Sequence, residues 1–94
     1  MAEARADIAP AGWQITATTL SCDRVADYVT VLVYRDWSYR CTWCDRYKLV
    51  AEADPKRRFA RDIRAKISRC RWPGCDYVLN YRDKLIAEEA AVNK

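Results

Sequence analysis

The residues best suited to chemistry in this chain are four cysteines arranged in two close pairs. Two residues separate Cys41 from Cys44, 25 residues follow, and four residues separate Cys70 from Cys75. Thiolates at such spacings are typical ligands of a tetrahedral metal ion, and two pairs on tight turns supply the four sulfurs of a structural zinc site. The sequence therefore predicts a single structural Zn²⁺ bound by Cys41, Cys44, Cys70 and Cys75.

Both pairs lie in versions of the same short motif, RCTWCDRYKL at 40–49 and RCRWPGCDYVL at 69–79. Two other interpretations stay open: the four cysteines are buried thiols or form a disulfide, or the metal is iron, which also accepts tetrahedral sulfur ligands. The fifth cysteine, Cys22, is left over. It is a core thiol, a ligand that replaces one of the four, or a redox-sensitive thiol.

The composition argues against catalysis. The chain has no histidine, so a Cys–His nucleophile pair is impossible. A zinc ion with four thiolate ligands has no open position for a water nucleophile. The sequence therefore predicts a protein that is not an enzyme and has no small-molecule substrate.

The positive charge is concentrated between and around the cysteine pairs. The chain carries a net charge of +4, and residues 54–75 hold eight basic side chains against two acidic ones. Arginine binds phosphate oxygens in a bidentate way, and aromatic rings among cations stack on bases. The candidate residues for binding nucleic acid or a partner are Arg57, Arg58, Arg61, Arg64, Arg69, Arg71, Trp43 and Trp72.

Other interpretations of these residues stay open. The arginines are equally compatible with a solvated helix face, and the two tryptophans with core positions over the metal. Tryptophan, tyrosine and arginine also dominate protein interfaces, so a docking surface for a larger protein complex is the alternative to nucleic acid.

The pattern of apolar residues predicts an α+β fold. Alternation and β-branched residues predict strands at 13–20 and 28–34, the second entering a hairpin over 28–41. Asp54 and Pro55 suit the start of a helix, with Phe59, Ala60, Ile63 and Ile67 on its inner face. Residues 47–53 and 77–81 are expected to be strands, 83–92 a C-terminal helix, 1–12 a flexible tail, and 13–94 one domain.

The same features predict a location in the cytoplasm without a membrane partner. The longest apolar run, 28–34, is too short to span a bilayer. The first twelve residues include Glu3 and Asp7 and lack the apolar stretch of a secretory signal. In a reducing compartment, thiolates more often hold a metal than form disulfides.

The cysteine pairs and the strands expected beside them resemble the zinc-ribbon superfamily over roughly residues 28–81. The resemblance implies a small zinc-ribbon-like antiparallel β domain, here with a basic helix inserted between the pairs and another helix at the C-terminus. It also implies a binding module and leaves the partner open.

A second likeness is to the small zinc-bearing subunit of acetone carboxylase-type enzymes. It rests on Trp37, Arg40, Cys41, Lys48 and Leu49 and covers about a third of the chain. The glycine expected after the first cysteine turn is missing. This resemblance implies an accessory subunit of a multi-subunit enzyme.

Overall fold

A computed structural model describes residues 3–92, which form a small α+β fold. A three-stranded antiparallel sheet in the order β1–β2–β3 lies beside four helices. The elements in chain order are β1 (Ile15–Cys22), β2 (Asp27–Tyr34), β3 (Tyr39–Cys41), α1 (Thr42–Arg46), α2 (Lys48–Ala53), α3 (Arg61–Arg69) and α4 (Asp76–Val92). The helices within this range include none long and apolar enough to cross a membrane.

The central strand β2 organises the core, as its alternating sequence predicts. Val29, Val31 and Val33 point to one face and are at most 5% exposed. Successive side chains of a strand point to opposite faces, so every second residue enters the core. β1 pairs along the whole of β2, and β3 pairs with its second half. The predicted hairpin over 28–41 is therefore confirmed.

The segment that precedes β1 packs on the sheet. Ala11 is buried, and its N–H donates to the carbonyl oxygen of Arg35 at 2.9 Å. The Trp37 indole N–H donates to the carbonyl oxygen of Ala9 at 2.9 Å. The sequence suggested a flexible tail over 1–12, whereas residues 3–12 make these contacts. Residues 1 and 2 lie outside the described part of the chain.

Two predicted strands are helices. Residues 47–53 contain the whole of α2, where the Ala51 N–H donates to the Tyr47 carbonyl at 2.9 Å. Residues 77–81 belong to the first turns of α4, which continues through the predicted C-terminal helix. Their aromatic and β-branched content favoured strands, but Val78, Tyr81 and Leu85 follow helical spacing and pack in or against the core. Each cysteine pair is thus followed by a helix, where a zinc ribbon was expected to have a strand.

The predicted basic helix exists but begins later than expected. Asp54 and Pro55 form a turn, in which the Asp54 carboxylate accepts a hydrogen bond from the Lys56 N–H at 3.2 Å. Aspartate followed by proline suits the first two positions of a β-turn as well as a helix start. Phe59 and Ala60 consequently lie outside α3, and none of the residues of α3 is buried.

Candidate metal centre and arginine face

Four cysteines converge on one small cavity, although they are not quite the predicted four. The cavity has a volume of about 20 Å³, enough for one water-sized occupant. Cys41, Cys70 and Cys75 line it together with Cys22. Cys44 does not line it, but lies near enough to Cys70 and Cys41 for their charges to affect its pKa. The fold therefore gathers both predicted pairs and adds the leftover fifth cysteine.

Different elements carry these thiols, so tertiary packing has to bring them together. Cys22 ends β1, Cys41 ends β3, and Cys44 lies within α1. Cys70 caps the C-terminus of α3, where its N–H donates to the Lys66 carbonyl at 3.0 Å. Cys75 directly precedes α4. The two motifs, distant in sequence, thus meet beside the turn that joins β1 to β2.

Polar groups approach the sulfurs from two sides. The backbone N–H groups of Trp43 and Cys44 donate to the Cys41 sulfur and lower its pKa, although burial is the larger effect and raises it overall. Arg24 Nη1 lies 3.7 Å from Cys75 Sγ. Hydrogen bonds from N–H groups favour a thiolate over a thiol. Each cysteine motif therefore contains one sulfur that an N–H group contacts.

Arg24 is held in place by three contacts around the second cysteine motif. Its guanidinium forms an ion pair with Asp76 at 2.7 Å and lies 4.5 Å from the centre of the Tyr77 ring. Its carbonyl accepts a hydrogen bond from Arg69 Nε at 2.8 Å. Nothing in the sequence near Arg24 indicated this role, because the three partners come from residues 69–77.

Lys48 links the two cysteine motifs directly. Its ammonium group donates to the carbonyl oxygens of Cys70 at 2.7 Å and Trp72 at 2.9 Å. The sequence offered one sign of this contact, because Lys48 directly precedes the apolar residues 49–51 and a charged side chain in such a place is usually paired when it is buried. The contact fixes the second cysteine turn against α2.

All five cysteines are free thiols, and none of them forms the disulfide that the sequence left open. Among the described residues, no group of three or more Cys, Asp or Glu side chains has a geometry that would hold a metal ion. Burial, and then the charges of Cys70 and Cys41, raise the pKa of Cys44. This shift favours the neutral thiol of Cys44.

The two tryptophans of the motifs are core residues and do not offer stacking surfaces. Trp43 is 5% exposed and Trp72 is 8% exposed. Trp43 packs against Tyr47, and Trp72 meets the Tyr39 ring edge to face at 5.3 Å. A chain of this size has little apolar surface with which to build a core, and a tryptophan side chain supplies a large share of it. Burial of both tryptophans therefore stabilises the fold. The proposal of exposed tryptophans at 43 and 72 is wrong.

The predicted basic residues divide into two groups. Arg69 donates to the backbone of Arg24, and Arg71 lines the sulfur cavity. All six are exposed, and the other four lie along the 57–58 segment and the first turn of α3. These four, which we call the arginine face, are Arg57, Arg58, Arg61 and Arg64.

No protein-family model, curated protein or solved structure matches this chain.

Proposed function

We propose that this protein is a non-enzymatic binding module that binds nucleic acid through the arginine face. The observation that carries the proposal is the exposure of all four arginines on a segment where none of the residues of α3 is buried. Arg61 and Arg64 are three residues apart on a helix and share one side of it. Guanidinium groups arranged in this way match successive phosphates of a nucleic-acid backbone.

We propose further that one structural zinc ion, bound by Cys41, Cys44, Cys70 and Cys75, holds the arginine face in place. Support comes from the convergence of Cys41, Cys70 and Cys75 on one cavity and from the N–H groups that donate to Cys41 and Cys75. Four cysteine sulfurs are a typical ligand set for a structural zinc ion. Binding would draw the sulfurs inward and release their protons, since zinc binds thiolates. Such an ion supplies folding free energy and no chemistry.

Metal analysis tests the zinc centre. The purified protein is expected to contain one zinc per chain, and serine at Cys41, Cys44, Cys70 or Cys75 is expected to remove it. Cys22→Ser serves as the matched control and should keep the metal. Zinc that survives Cys44→Ser but is lost from Cys22→Ser would show that the ligand set is wrong.

Salt-dependent binding tests the arginine face. Binding of oligonucleotides should weaken steeply as ionic strength rises, because phosphate contacts release counterions. The double variant Arg61→Glu with Arg64→Glu should abolish binding and keep the metal. A variant with Arg35→Glu and Lys84→Glu has the same change in net charge on exposed positions elsewhere, and should bind far better. Equal losses in the two variants would refute a specific face.

The competing function is that of an accessory subunit in a multi-subunit enzyme, with the same face covered by a larger chain. The same observation supports this alternative, because α3 buries none of its residues and leaves a face that a larger chain could cover. This alternative predicts recovery from the native host in a fixed ratio with larger chains, in a complex that resists high salt. Such a result, together with no oligonucleotide binding at low salt, would replace the nucleic-acid proposal.

A further inference from the structure

A cleft with a strongly positive lining opens between the turn at 54–57 and the start of α3. Its volume is about 550 Å³, which lies within the range of small-ligand sites. Among the described residues, those that line the cleft include four cations and no acidic side chain. The lining consists of Pro55, Lys56, Arg57, Arg58, Phe59 and Arg64.

Phe59 gives this cleft an aromatic wall. Its side chain is half-buried, and its ring meets the Tyr47 ring edge to face at 6.1 Å. The Arg57 guanidinium carbon lies 5.4 Å from the centre of the Phe59 ring. The ring is therefore supported from the α1–α2 junction, while part of it stays accessible among the cations.

The surroundings of Phe59 indicate which ligand it would contact. An aromatic ring stacks on any base, and arginines beside it bind the phosphates on either side of that base. The tryptophans of the two cysteine motifs are buried, so neither performs this role. A base paired within a duplex does not offer its face, whereas an unpaired base does.

We propose that the cleft binds one unpaired nucleotide of a single-stranded nucleic acid. The base stacks on Phe59, and the flanking phosphates bind Arg58 and Arg64. The proposal rests on the proposed function, since it assumes that the arginine face binds nucleic acid. It goes further by making the protein selective for single strands over duplexes.

Fluorescence anisotropy with two probes tests the inference. One probe is a labelled oligothymidine, and the other is a labelled duplex with the same number of phosphates. The variant Phe59→Leu keeps an apolar side chain against Tyr47 but removes the stacking surface. We expect it to lose about tenfold or more in affinity for the single strand, the effect of one stacked base, with duplex affinity unchanged. Phe59→Tyr restores a ring and should bind the single strand like the wild type.

The outcomes separate the two proposals. Unchanged single-strand affinity in Phe59→Leu, with the wild type still binding, would overturn the cleft and leave the arginine face intact. Equal losses for both probes in Phe59→Leu would also overturn it, since Phe59 would then only support the fold. If the wild type binds neither probe at low salt, the proposed function itself fails.

Discussion

Replacement of Lys48 by methionine tests whether the two cysteine motifs support each other. The ammonium group of Lys48 donates to the carbonyls of Cys70 and Trp72, and the side chain is half-buried. Methionine keeps most of the apolar stem and removes both donors. The perturbation is therefore confined to two hydrogen bonds that span 22 and 24 residues of sequence.

The expected magnitude follows from these two contacts. A hydrogen bond to a charged group contributes about 1.5–3 kcal/mol. Water replaces part of each bond at a half-buried site, so the pair together is expected to contribute about 2–3 kcal/mol rather than the full sum. That loss would be large for a chain of this length, whose total stability is of the order of 5–10 kcal/mol.

Urea unfolding followed by tryptophan fluorescence measures this loss. The matched control is Lys84→Met, because Lys84 is exposed and reaches Glu88 only at 4.0 Å. An exposed helical pair of this spacing contributes about 0.5 kcal/mol or less. We also expect Lys48→Met to bind zinc more weakly than the control, since the second cysteine turn loses its anchor. If both variants unfold at the same urea concentration, the reasoning about Lys48 is refuted.

Three further perturbations test other features of the fold. Ala26 has a positive φ of 50° and is exposed. Glycine adopts this left-handed conformation without strain but adds freedom to the unfolded chain, so Ala26→Gly should raise the free energy of unfolding by about 0.5 kcal/mol. A lower midpoint temperature of thermal denaturation in Ala26→Gly would contradict this prediction. Arg82 is 9% exposed, and its Nε has no hydrogen-bond partner among the described residues, so Arg82→Met should be neutral or stabilising by about 1 kcal/mol. A clear loss of stability in urea would mean that the contacts of Arg82 with Asp83, at 3.7 Å, and with the Tyr39 ring, at 5.1 Å, outweigh the cost of its unbonded Nε. The hydroxyl of Tyr77 donates to Asp23 and lowers the pKa of that carboxyl group. A lowered pKa in the folded state stabilises the protein above the unfolded value of about 3.9 and ceases to do so as the pH falls through the folded value. Tyr77→Phe should therefore lose less stability than the wild type in this acidic range, and identical pH profiles would refute the link.

Several elements could be predicted because they depend on local patterns. The alternation of valines in 28–34 has the period of a strand, and one face of that strand is the core. The cluster of cations in 54–75 is a property of composition, and charged side chains stay on the surface unless they are paired. The spacing of the cysteines likewise indicated Cys41, Cys70 and Cys75 of the cavity, but gave no sign that Cys22 would line it in place of Cys44.

Other features depended on partners distant in the chain. Residues 47–53 and 77–81 have strand-forming side chains, yet they are helical, because intrinsic preference is weak and packing against the core decides the outcome. The ring of Phe59 was predicted to face the core from within a helix. The turn at Asp54 and Pro55 leaves it outside α3, on the edge of the positive cleft.

The sequence by itself determined the number and spacing of the thiols, the central strand and the location of positive charge, all of which are read from neighbours along the chain. Only the tertiary structure decided that Trp43 and Trp72 are buried, that Cys22 joins the cysteine cavity, and that Lys48 and Arg24 hold the second cysteine turn. The physical reason is that burial and hydrogen bonding are properties of the surroundings of a side chain. For Lys48, Arg24 and Trp72 those surroundings come from residues more than 20 positions away.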